Sequence, residues 1–139
     1  MAITLGALTL PATLVWADEC DWSPVSQKVD YSTSGALILQ EAIRLAGRPI
    51  TLVGQSDGNA HTGGILRSDL LTLYTALTTT GVELTLTLHD ARTFTVAGRH
   101  QGEQSPIDAV PLPAVKSLPP AIPASNHWYL LRALRLITV

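Results

Sequence analysis

The sequence predicts a mainly β domain of antiparallel strands with one amphipathic helix packed on it. Three observations carry this. Apolar residues recur at helical spacing over residues 66–80, the spacing switches to two immediately afterwards, and most remaining apolar residues alternate as strands do. In the helical stretch Leu66, Leu70, Leu73, Tyr74 and Leu77 fall on one face of a 3.6-residue turn and are expected to face the core. Gly81 stands where a left-handed residue closes a helix. From there Val82, Leu84, Leu86 and Leu88 share one face, and Glu83, Thr85, Thr87 and His89 the other. Asp90-Ala91 is the expected reversal, and residues 92–97 return as a second strand carrying Phe94 and Val96.

The other elements follow in order. Residues 3–10 read as an opening strand stopped by Pro11, with a short continuation over residues 14–16. Residues 25–31 alternate again, with Val25, Gln27, Val29 and Tyr31 on one face. Residues 36–47 fit two patterns. Leu39, Ala42, Ile43 and Ala46 suit a helix, which the segment taken alone slightly favours, while a strand over residues 36–43 turning near Ala46-Gly47 fits as well. Ile50-Thr51-Leu52 is strand-like, with Pro49 placed for the first residue of an edge strand. Gln55 to Gly64 is a polar, glycine-rich loop in which Thr62 is the candidate helix cap, and Asp69 complements the positive helix end. Prolines punctuate residues 103–126, so a long extended loop is expected there, laid against a neighbour or functional. The last segment sets Trp128, Leu130, Leu134 and Leu136 against Tyr129, Leu131, Ala133, Ile137 and Val139. Apolar residues on both faces indicate a central or covered strand.

Composition narrows the function. A chain of 139 residues is expected to form one domain with a real core. Its net charge of −2 leaves no basic patch to track a phosphate backbone. Only 14% of residues are charged, against about 25% in ordinary soluble domains. The surface is then either neutral and polar or covered by other subunits, and the second reading is favoured because such surfaces associate. Cys20, the single cysteine, excludes an internal disulfide. The apolar N-terminal stretch has no preceding Lys or Arg and is broken by Gly6, Pro11 and threonines, which argues against a secretion signal. No run reaches the length of a membrane-spanning helix.

Catalytic patterns are weak. His61, His89, His100 and His127 form no i, i+4 metal pair. Asp18, Glu19 and Asp21 cluster beside Trp22, as carboxylates and an aromatic ring do in sugar-cleaving sites, but a solvated acidic turn explains them better. Gly63-Gly64 is too short to cradle phosphate, and no Gly-Lys-Ser/Thr follows. No catalytic, cofactor or metal residue is assigned.

Several segments read together carry a resemblance. They are Trp22-Ser23-Pro24-Val25, Gly47-Arg48-Pro49-Ile50-Thr51-Leu52, the loop and helix, Leu84 to Arg92 with Thr93-Phe94-Thr95-Val96, Pro106 to Leu112, and the closing strand. In this order the chain resembles the distal tail proteins and small minor tail tip proteins of long-tailed bacteriophages. Where that family commonly has Asp-Gly at the hairpin tip, this chain has Asp90-Ala91, which disfavours a tight I′ turn. The resemblance tips residues 36–43 toward strand. It implies a split β-barrel or β-sandwich with one helix, no enzymatic activity and no cofactor. It also implies assembly into a hexameric ring in the virion tail tip. Its partners there would be further copies of itself, the tail tube protein, the baseplate hub protein, and fibre or receptor-binding proteins, with no nucleic acid contact required and no membrane insertion. Trp16, Trp22, Pro111, Pro113, Pro119, Pro120 and Trp128 are the candidate interface residues. The alternative is a small carbohydrate- or receptor-binding β module using Trp16, Trp22 and Trp128.

Overall fold

A computed structural model describes residues 2–55, 62–111 and 126–139. In chain order these form β1 (Ile3–Leu5), β2 (Leu8–Leu10), β3 (Val15–Trp16), β4 (Val25–Tyr31), β5 (Leu37–Ile43), β6 (Pro49–Val53) and β7 (Gly64–Leu66). The helix α1 (Arg67–Thr78) follows, and then β8 (Leu84–Thr87), β9 (Thr93–Gly98), β10 (Ile107–Pro111) and β11 (Trp128–Thr138). The protein is mainly β; among the described residues every strand pair is antiparallel, and one helix packs against the larger sheet.

The long strand β11 organises that sheet. Along one edge it pairs first with β7 and then with β6, and along the other with β10 and then β9. From β9 the sheet continues through β8 and β1 to β2, and from β6 it continues to β3. Its two ends, β2 and β3, are joined in sequence by residues 11–14 but do not pair with each other, so the sheet rolls around the core without closing into a barrel.

The core is aliphatic. Ile3, Ile50, Leu52, Leu86, Val96, Leu131, Leu134 and Leu136 meet Leu70, Leu73 and Leu77 of the helix. Tyr74, expected on that face, is 52% exposed. It sits at the margin of the apolar arc, where the helix turns away from the sheet. Leu66 is the last residue of β7 and caps the helix with its backbone alone. Thr62 is therefore not the cap: its hydroxyl binds back to Gln55, with β7 between it and the helix. Gly81 has the positive φ expected of it, although the helix ends at Thr78.

Three further expectations are corrected. The single opening strand is a hairpin, because Gly6 adopts φ +60° in a two-residue turn, the geometry for which glycine at the first central position is suited. Residues 107–111, within the expected proline-rich loop, form β10, since Ile107 to Val110 supply donors to the free edge of β11. The faces of β11 change partway along. Its register with β10 steps from Ala133 to Leu131, so Arg132 is an extra residue. This bulge moves the inward side from Tyr129 and Leu131 to Leu134 and Leu136. A strict alternation had placed those residues on opposite faces.

The ambiguous segment 36–43 is strand, as β5, and Pro49 does begin β6, although β6 lies between β11 and β3 rather than at an edge. The hairpin between β8 and β9 is closed by the three residues His89, Asp90 and Ala91: Ala91 N donates to Leu88 O (3.0 Å) and Leu88 N to Arg92 O (2.9 Å). Ala91 carries φ +68°. The hairpin between β4 and β5 closes by the same pattern, Gly35 N to Ser32 O and Ser32 N to Ala36 O, but with glycine at the left-handed position (φ +84°). One chain thus shows the same turn with and without the steric penalty. Ala91→Gly should relieve it and raise stability by about 1 kcal/mol, seen as a higher denaturation midpoint with an unchanged m value. A lower midpoint would contradict this reading of the turn.

Candidate functional site

The feature that calls for a function is the β4–β5 hairpin. It forms its own two-stranded sheet, and its strands make no substantial contact with any other element among the described residues. Register fixes its two faces. Val25 opposite Ile43, Val29 opposite Leu39 and Tyr31 opposite Leu37 line one side. The other carries Ser26, Lys28, Asp30, Ile38, Gln40 and Ala42. The first side is almost wholly apolar yet lies in solvent, with Tyr31 and Ile43 each 73% exposed. One polar pair interrupts it: Gln27 Nε2 donates to Glu41 Oε1 at 2.7 Å. A two-stranded hairpin alone in water is marginal, and contiguous apolar surface of this kind marks a contact surface.

The arm leaves the body from a stiff root. Asp18, just before it, accepts hydrogen bonds from Trp16 Nε1 (2.8 Å), Thr51 N (2.9 Å) and the Thr51 hydroxyl (2.9 Å). The Trp16 ring meets Phe94 edge-on at 5.6 Å, and the guanidinium groups of Arg48 and Arg92 lie 4.6 and 5.3 Å from its centroid. Arg48 also donates to the Glu19 carbonyl (2.7 Å), and Arg92 to the Glu19 carboxylate (2.6 Å). On the returning side Arg44 N donates to Pro24 O, and Gly47 N to Thr138 O. Both ends of the arm are thereby tied to the rolled sheet.

At the β8–β9 tip, partial desolvation raises the Asp90 carboxyl, but the backbone N–H and guanidinium of Arg92, with His89, outweigh it and hold it below the usual carboxylate range. Hydrogen bonds to Glu19 and then Asp90 hold Arg92 above its ordinary value. The Asp90–Arg92 contact therefore persists through the ordinary carboxylate range and is lost only as pH falls through the lowered value of Asp90.

Two clefts flank the root. One of about 410 Å³ is lined by Trp16, Glu19, Leu88, His89, Asp90 and Arg92. The other, about 350 Å³, has Trp22, Leu45, Arg48, Phe94 and Val139 among its walls. The three tryptophans are therefore not gathered into one platform. Trp16 lines the first cleft and Trp22 the second, while Trp128, 54% exposed, pairs with Leu66 at the start of β11. A sugar stacks on an uncovered aromatic face, and the ring of Trp16 is already engaged by two arginines and Phe94. Of the acidic cluster, Asp18 and Glu19 are bound by their own neighbours. His89 stands on the exposed hairpin tip, His100 Nε2 lies 3.0 Å from Leu77 O, and His127 meets Tyr129 edge-on. His61 lies outside the described residues. Among the described residues no three His, Cys, Asp or Glu group as metal ligands would, and no helix is long and apolar enough to cross a membrane. Cys20 is free and exposed.

Of the candidate interface residues, Trp16 and Trp22 belong to the root and its clefts, and Pro111 ends β10 exposed. Pro113, Pro119 and Pro120 lie outside the described residues. The arm itself was not singled out from sequence. The available signal was a strand pair, residues 25–31 and 37–43, with few charges on either face. No known family profile, curated protein or solved structure matches the chain.

Proposed function

We propose that this chain is a structural ring subunit of a bacteriophage tail tip, of the distal tail protein kind. It joins the tail tube to the baseplate hub and offers a mounting surface to fibres or receptor-binding proteins. The observation that carries this reading is the uncovered apolar face of the β4–β5 arm on a body whose own core is already complete. Such a face is stable only when something lies on it, and identical subunits supply that cover at every position of a closed ring. The low charge of the chain and the sequence resemblance support the same reading. The arm, fixed at its root, meets the neighbour in one orientation, which limits the entropy lost on association.

Native mass measurement and particle imaging of the purified protein test this. A closed ring is expected; a strict monomer at high micromolar concentration would overturn the proposal.

A further inference from the structure

We propose that the apolar face of the arm lies along the outer flank of the helix in the next copy, with Glu41 of one subunit against Arg67 of the other. This inference rests on the ring reading and adds which surfaces meet. Two arms packed face to face are disfavoured by Glu41, which interrupts the apolar stripe. Such a pairing sets each carboxylate against apolar side chains, the second Glu41 or a neutral Gln27, never against a cation, and a buried charge without a cation is costly. The arm therefore needs a surface that is apolar and carries one positive group.

Two cations belong to the arm itself: Lys28, which pairs with Asp30, and Arg44, which stands at its root directly after β5. Beyond the arm, one place among the described residues offers both. Arg48, Arg92, Arg99, Arg132 and Arg135 each spend a guanidinium nitrogen on an acceptor in their own chain. Arg67 has no ion pair or side-chain hydrogen bond among the described residues. It begins the helix, and Leu71 and Tyr74 follow at offsets of four and seven on the same flank, 46% and 52% exposed. These two apolar side chains are turned away from the core side held by Leu70, Leu73 and Leu77.

The spacings agree. Successive rows on one face of the arm are about 6.6 Å apart, and one helical step of four residues advances about 6 Å. With Glu41 opposite Arg67, the Val29–Leu39 row meets Leu71. The Tyr31–Leu37 row then lies about 13 Å along the arm and Tyr74 about 10.5 Å along the helix, an offset of about 3 Å that the tyrosine side chains span. Arm and helix flank are different patches, so the contact is head-to-tail and generates a ring when the rotation closes.

Charge exchange tests the pairing. Glu41→Arg and Arg67→Glu should each leave the melting curve near that of the parent, because Glu41 is exposed and a carboxylate at the helix start is favourable. Each should weaken assembly at least tenfold in sedimentation, and the double exchange should recover most of that loss. If the parent assembles but either single change leaves assembly intact, or the double exchange recovers nothing, this contact is wrong while the ring reading stands. A parent that never assembles overturns the ring reading, and this contact with it.

Discussion

Leu73→Asp should leave the protein unfolded at room temperature. Leu73 is 1% exposed and packs, with Leu70 and Leu77, into the single aliphatic cluster that holds the helix to the sheet. Among the described residues no charged side chain is buried beside that cluster. An unpaired carboxylate there loses the leucine's packing and adds a desolvation cost, together several kcal/mol. That is comparable with the whole stability of a small domain, about 5–15 kcal/mol. Circular dichroism should show loss of the cooperative melt. Tyr74→Asp, one residue along on the exposed flank, should melt within about 1 kcal/mol of the parent. A cooperative Leu73→Asp variant, or an equal loss at Tyr74, would mean that the core face has been misassigned.

Gly54→Ala should cost about 3 kcal/mol. A β-carbon at Gly54 would lie 2.4 Å from Leu131 O and 2.6 Å from Thr62 O, both backbone atoms that no rotamer change can move aside. The crowding has a cause in the fold. β6 and β7 share one edge of β11, and the chain leaves and rejoins that edge at the Arg132 bulge. There Gly54 N donates to Arg132 O and Leu131 N to Gly63 O. Gly64→Ala is the matched control, because its β-carbon would meet only the Trp128 ring at an ordinary 3.6 Å. Denaturant midpoints should separate the two variants widely. Equal midpoints would sink the account of the bulge.

Much of this architecture was legible from residue order. The helix, the β8–β9 hairpin, β4, β6 and β11 all announce themselves through local periodicity, because a side chain's direction along a helix or strand is set by backbone geometry alone. Where reading failed, a local rule met a non-local partner. Gly6 looked like a strand residue until its turn was seen. β10 hid among prolines because its donors matter only beside the free edge of β11. The bulge at Arg132 shifts alternation by one, and nothing in Trp128 to Val139 marks where. Tyr74 fits the helical stripe by spacing but lies beyond the reach of the sheet.

The functional surface followed the same division. Alternating apolar residues over 25–31 and 37–43 indicated strands, and low charge indicated covered surface. Only the tertiary structure decided that these strands leave the main sheet and expose their apolar side, while Trp16 and its arginines are spent on holding the root. Sequence alone determined which segments become strand or helix and which residues are apolar, since those are properties of short stretches of chain. Which apolar faces stay uncovered was decided by the fold, because exposure depends on neighbours brought together from distant positions.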